Sequence, residues 1–184
     1  MTVFRNSDHR RMPWKNGSGE TVEIAVFPPD ASMENFGWRI SMASVATDGP
    51  FSVFSGVDRT LSILEGHGMT LEISGRAPVT LTAQDAPYAF PADAATEARL
   101  VDGAITDLNV MTRRRVFLHA VERRVIHGVT AVKKHGGTLM LLALGDVKAG
   151  SMRLGRLDAM LIDGDVTLEA GEDVTVYLIR IDPA

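Results

Sequence analysis

Apolar and polar residues alternate with a period of two along most of the chain, and helical periodicity is almost absent. Residues 21–27 set Val22, Ile24 and Val26 on one face against Thr21, Glu23, Ala25 and Phe27 on the other, and Pro28-Pro29 ends the run. Residues 36–45 repeat the pattern, with Trp38, Ile40 and Met42 opposite Arg39, Ser41 and Ala43, which predicts a hairpin partner. The stretch that organises the chain is residues 49–73. There Leu61 and Ile63 alternate with Ser62 and Leu64, Glu65-Gly66-His67-Gly68 interrupts, and Met69, Leu71 and Ile73 alternate with Thr70, Glu72 and Ser74. Two such strands joined by glycines that tolerate positive φ predict a second hairpin. The loop before it carries apolar anchors and the Asp58/Arg59 pair, a composition suited to positioning something.

Further along, residues 79–82 predict a short strand, and residues 86–91 a crossing between sheets, because Pro87 and Pro91 would spoil an interior ladder. Residues 97–101 and 105–111 are split by Asp102-Gly103, a favoured hairpin turn. Residues 115–121 and 125–132 predict two more strands, Gly136-Gly137 opens a strand over 138–144, and 174–181 form an apolar terminal strand. Residues 158–168 echo the central strand, acidic-glycine turn and strand. Residues 12–20, with Trp14 and two glycines, are irregular. Many short strands at close spacing predict an all-β sandwich or jelly-roll barrel, and the echo predicts two related barrels or one barrel and a partial copy.

Composition narrows the function classes. At 184 residues, with 45% hydrophobic and 23% charged residues, the chain can build a substantial core as one compact unit. A net charge of -4 gives no electrostatic case for nucleic acid. The lack of cysteine removes disulfides, thiolate metal sites and thiol nucleophiles. No apolar run approaches the roughly 18 residues of a spanning helix, and the N-terminus has no hydrophobic signal core, so no membrane partner and a cytoplasmic location are expected.

Four segments then stand out: Trp14-Lys15-Asn16-Gly17-Ser18-Gly19-Glu20-Thr21-Val22-Glu23-Ile24, Phe36-Gly37-Trp38-Arg39-Ile40-Ser41, residues 49–59, and Asp107-Leu108-Asn109-Val110-Met111-Thr112-Arg113-Arg114. Together, and in this order, they resemble the HutD/Ves family across roughly residues 12–115; the last third matches only in its β-rich character, and Ser18 stands where family members often carry glycine. The resemblance implies a cupin-type jelly-roll fold in a bicupin arrangement. Residues 1–112 would form the first barrel and 113–184 a reduced second half packed with it. It also implies a role in controlling histidine utilization by binding a small acidic intermediate such as formylglutamate or urocanate.

The residues themselves permit several chemistries. His9, His67, His119, His127 and His135 are not spaced as a barrel metal site, so no metal or other cofactor is expected. No nucleophile elbow occurs around Gly17-Ser18-Gly19, and no catalytic residue is assigned. A small anionic metabolite would be met by Arg39 and Arg59 as carboxylate receptors, Lys15 and Asn16 as loop donors and Asn109 as an orienting amide. Trp14, Glu23, Ser41, Asp58 and Asp107 would support them. Arg39 and Arg59 would equally serve an internal ion-pair network with Glu23, Asp58 or Asp107. The Arg113-Arg114-Arg115 run and Arg123-Arg124 are expected to face solvent. Catalysis is left open: the primary reading is a regulatory binding protein. The alternatives are a metal-independent isomerase, lyase or hydrolase using Glu23 or Asp107 as base, and a purely structural interaction module. Exposed edges and the terminal strand leave room for a homodimer.

Overall fold

The computed structural model describes residues 1–184 and is almost entirely β-structure, its one helical element being a 3-10 turn at Asn6–Asp8. The chain divides into two compact units, one of residues 10–118 and one in which residues 1–9 join residues 119–183. No helix is long and apolar enough to cross a membrane.

In chain order the first strand is β1 (Thr2–Phe4), which belongs to the second unit. The first unit then runs through β2 (Arg10–Pro13), β3 (Gly19–Phe27), β4 (Trp38–Val45), β5 (Gly49–Pro50), β6 (Val57–Glu65), β7 (Met69–Ile73), β8 (Val79–Leu81), β9 (Tyr88–Pro91), β10 (Thr96–Leu100) and β11 (Ile105–Arg113). These make a six-stranded antiparallel sheet, β2-β3-β4-β11-β6-β9, and a four-stranded sheet, β5-β10-β7-β8. Ala43, Val45, Leu61, Ile63 and Ile105 of the first meet Met69, Leu71, Ile73 and Ala98 of the second in one buried core. Full burial of the Val, Leu, Ile and Met side chains among them stabilises by about 1.5–3 kcal/mol each.

β3 and β4 pair as the alternation predicts, but the other two expected hairpins do not exist. β6 pairs with β11 and β9, whereas β7 pairs with β10 and β8; β10 and β11 likewise lie in different sheets. Both glycine turns are arches that carry the chain from one sheet to the other. They lie side by side: the Val101 N–H donates to the Gly68 carbonyl at 3.0 Å, and a side chain on Gly66 would come within 2.6 Å of the Ala104 oxygen. Gly68 has φ +103° and a Cβ there would collide with the Leu81 carbonyl. Gly68→Ala is therefore expected to lower stability by about 2 kcal/mol, read from the midpoint of urea unfolding, without changing the cavity described below. An unchanged midpoint would mean that the arch relaxes freely.

The prolines of 86–91 do mark a crossing, since β8 and β9 lie in different sheets. A β-bulge between Glu23 and Ala25 separates the expected face of β3: Glu23 opposes Ser41, yet Val26 opposes Arg39, so Val26 turns to the Glu23 side while Val22 and Ile24 are buried on the other.

The second unit continues with β12 (Phe117–Val132), β13 (Thr138–Ala143), β14 (Val147–Ala149), β15 (Met152–Leu154), β16 (Ala159–Ile162) and β17 (Val166–Pro183). Its sheet runs β1-β16-β13-β17-β14-β15, with β12 also on β17, over an apolar core that includes Leu139, Leu141, Leu168, Val176 and Leu178. The two strands expected over 115–132 are one continuous strand, and Arg115 lies before it at φ +65°. β16 and β17 do not pair, because β13 lies between them. The apolar terminal strand is interior, hydrogen-bonded to β13 and β14, so burial accounts for its composition.

Candidate functional site

β11 is the strand on which the polar motifs meet. Met111 lies directly opposite Arg39 of β4 on one side and Arg59 of β6 on the other; Asn109 opposes Ser41 and Leu61, and Asp107 opposes Ala43 and Ile63. Directly paired residues share a face, so these rungs put Arg39, Arg59, Ser41, Asn109 and Asp107 on one side of the sheet. A second register shift, between Thr106 and Asp107, aligns Asp107 with Ile63. The same face that forms the core at one end of β6 and β11 thus becomes polar at the other.

Over this face is a cavity of about 560 Å³. Of the residues singled out from the sequence, Lys15, Asn16, Arg39, Arg59 and Asn109 line it, and so do Trp14, Ser41 and Asp107. Glu23 is not in the wall but holds it: the Arg39 Nε donates to Glu23 Oε2 at 2.7 Å and Nη1 reaches Ser41 Oγ at 3.4 Å. Asp58 is elsewhere. It pairs with Arg114 at 2.8 Å, and Arg114 also bridges Asp93, so this part of the basic run braces the first unit instead of facing water alone. Arg113 is similarly tied, donating to the Ser55 and Glu34 carbonyls.

Arg59 is 5% exposed and is held by aromatic faces, with its Cζ 5.1 Å from the Phe51 centroid, 5.5 Å from Phe54 and 5.8 Å from Phe90. Its Nη2 donates to the Ser52 carbonyl at 3.3 Å, and its Nε has no partner. Burial brings this guanidinium down to about 10, Asp107 opposing the shift and Arg39 adding to it. Asp107 is 1% exposed; its Oδ1 accepts a 2.6 Å bond from Asn109 Nδ2. Burial pushes its carboxyl up to about 7, against the pull of Arg59 and a hydrogen bond from the Ala43 backbone.

The hairpin loop between β2 and β3 supplies the rim. The Asn16 side-chain oxygen accepts from Ser18 N at 3.0 Å and Ser18 Oγ at 2.7 Å, which shapes the loop and presents the exposed Lys15. Trp14 donates its Nε1 to Thr21 Oγ1 at 2.8 Å and lies over Gly19, where a Cβ would come within 2.9 Å of the ring. Sequence reasoning missed Phe51, Phe54 and Met111 as wall residues. The signal for the phenylalanines was their spacing, three apart in the loop before Arg59; that for Met111 was its alternation with Asp107 and Asn109.

No group of three or more His, Asp or Glu side chains is arranged to hold a metal ion. What the cavity offers is two buried guanidiniums, an exposed ammonium at the rim, amide and hydroxyl donors, aromatic walls and one buried carboxyl, an arrangement that can receive a carboxylate and a second polar group.

The HutD family profile matches residues 6–178. An uncharacterized 21.2 kDa protein from the hutC 3′ region of Pseudomonas putida is 31% identical over 90% of this chain and 88% of its own length. Protein Ves of Citrobacter koseri is 44% identical over 58% of this chain and 56% of its own. Among solved structures, a conserved protein of unknown function from Pseudomonas aeruginosa PAO1 is 32% identical with a TM-score of 0.89, covering 98% of both chains. HutD from Pseudomonas fluorescens SBW25, in a formate condition, is 30% identical with a TM-score of 0.85 over 100% of this chain and 98% of that one. A cupin 2 conserved barrel protein from Leptotrichia buccalis shares the fold at 11% identity, with a TM-score of 0.62 over 94% and 96% of the two chains. With the profile spanning nearly its whole length, this cupin-like, all-β chain belongs to the HutD family.

Proposed function

We propose that the cavity of the first unit binds a small carboxylate metabolite of histidine utilization, of the formylglutamate or urocanate type, and that the protein acts as a ligand-responsive regulator of that process. The observation that carries this reading is the pair of buried guanidiniums, Arg39 and Arg59, flanking Met111 on one cavity wall, with the Arg59 Nε left without a partner. Buried arginines with unspent donors favour a carboxylate, which accepts paired N–H bonds. The reading also draws on the relative encoded beside hutC and on the HutD structure obtained in a formate condition.

A thermal-shift series with histidine, urocanate, formiminoglutamate, formylglutamate and glutamate tests it. Selective binding of one acid at 100 times its Kd is expected to stabilise by about 2.7 kcal/mol, with no dependence on added divalent metal. Absence of any shift, or a shift with metal alone, would detach the cavity from carboxylate recognition.

One observation favours a second reading, a metal-independent acid–base enzyme: a carboxyl that titrates near 7 is poised for proton transfer at neutral pH. Turnover of the acid that gives the shift, lost in Asp107→Asn while binding persists, would establish it; recovery of the acid unchanged after prolonged incubation would remove it.

A further inference from the structure

Two buried groups of opposite charge on the cavity wall, Arg59 and Asp107, share no hydrogen bond. Arg59 donates to the Ser52 carbonyl and the Met111 sulfur, Asp107 accepts from Asn109 and the Ala43 backbone, and neither group donates to the other. Both are buried, at 5% and 1% exposure, and both border the same space. Along β11 the order is Met111, with Arg39 and Arg59 beside it, then Asn109, then Asp107. Successive rungs on one strand face are about 6.8 Å apart, so the wall has a cationic end and, two rungs along the backbone, a carboxyl whose side chain still feels the Arg59 charge.

Keeping two buried opposite charges out of hydrogen-bond contact weakens their attraction and leaves donors and acceptors unmatched while both remain desolvated, which is unfavourable unless something joins them. We infer that the ligand is bipolar: a carboxylate that takes the Arg39/Arg59 end, joined through a short spacer to an N–H donor that takes Asp107. Asn109 donates Nδ2 to Asp107 Oδ1 and so holds the carboxyl in place at the edge of the cavity. Trp14, Phe51 and Ala43 line the same cavity and suit a flat or slender spacer. A second carboxylate at the inner end would instead oppose Asp107 charge to charge, so the residue selects against simple dicarboxylates.

The inference rests on the carboxylate-binding reading and narrows its ligand class. Its test uses near-isosteric probes: succinate, glutarate and adipate against their monoamides, in which one carboxylate becomes a carbamoyl N–H donor. Titration calorimetry on the full chain at pH 8 is expected to show at least one monoamide binding ten-fold or more tightly than its parent diacid. In Asp107→Asn, whose new amide can itself donate, that preference is expected to vanish or reverse. A second measurement needs no variant: at about pH 6.2, where most of the Asp107 carboxyl is protonated while the diacids are still mainly dianions, the diacid deficit of the natural protein is expected to narrow sharply. Diacids binding as well as monoamides at pH 8, or a preference that survives both Asp107→Asn and acid, would overturn the bipolar ligand and leave the carboxylate reading standing. If no acid of either series binds, the carboxylate reading falls and this inference with it.

Discussion

Asp107→Asn is expected to stabilise the protein by on the order of 4 kcal/mol at pH 8 and by almost nothing at pH 4. The folded carboxyl sits near 7 while its ordinary value is 3.8, so the folded state holds a proton that the unfolded state has released across this interval. Stability therefore falls as pH rises from about 4 to about 7 and is flat above, each unit of separation being worth about 1.4 kcal/mol. The charges facing this carboxyl are Arg59, which favours ionisation, and, beyond it, Arg39 already paired to Glu23. Asparagine preserves shape and can still accept the 2.6 Å bond from Asn109. Urea unfolding of both proteins at pH 4, 6 and 8 reads the difference directly. Parallel profiles would mean that Asp107 ionises normally and that water reaches it.

Arg39→Met is the second large effect, and it has two parts. The Arg39–Glu23 pair has 4% and 14% of its side-chain surfaces exposed, so removing the cation leaves a largely buried carboxylate unpaired and is expected to cost about 3 kcal/mol. Adding Glu23→Gln should restore most of that stability, since the uncompensated charge is gone. Carboxylate affinity behaves differently: it is expected to drop roughly 100-fold in the single variant and to stay low in the double variant, because the receptor itself is missing. Recovery of affinity with stability would reduce Arg39 to a brace, the ion-pair role that the sequence left equally open.

The elements legible in the sequence are those whose alternation is local. Val22 and Ile24 against Glu23, or Arg39 and Ser41 against Ile40 and Met42, are decided within one strand, and their pairing follows from a short connection. Asp107, Asn109 and Met111 could be placed on a common face for the same reason. Partner choice was not legible. Glu65-Gly66-His67-Gly68 and Asp102-Gly103 have hairpin composition, because glycine serves an arch between sheets as readily as a turn back onto the same sheet; contacts with Leu81 and Ala104, far along the chain, decide between them. Nor could the pattern reveal the bulge that moves Val26 across β3, which adds a residue without any compositional mark. Asp58 was grouped with Arg59 because they are adjacent, yet neighbours on a strand point to opposite faces, and Asp58 answers to Arg114.

The insertion of β11 between β4 and β6 has a consequence for how the chain assembles its cavity. β4 and β6 cannot complete their ladders with anything made before residue 105, so during synthesis both wait with open edges while about forty or more further residues emerge. Neither half of the guanidinium pair is in its final setting until Met111 arrives between them. Ligand competence should thus appear in a single late step of folding, on the millisecond-to-second scale of β-proteins dominated by distant contacts. A ribosome-tethered chain ending before β11 should be blind to the metabolite at any concentration.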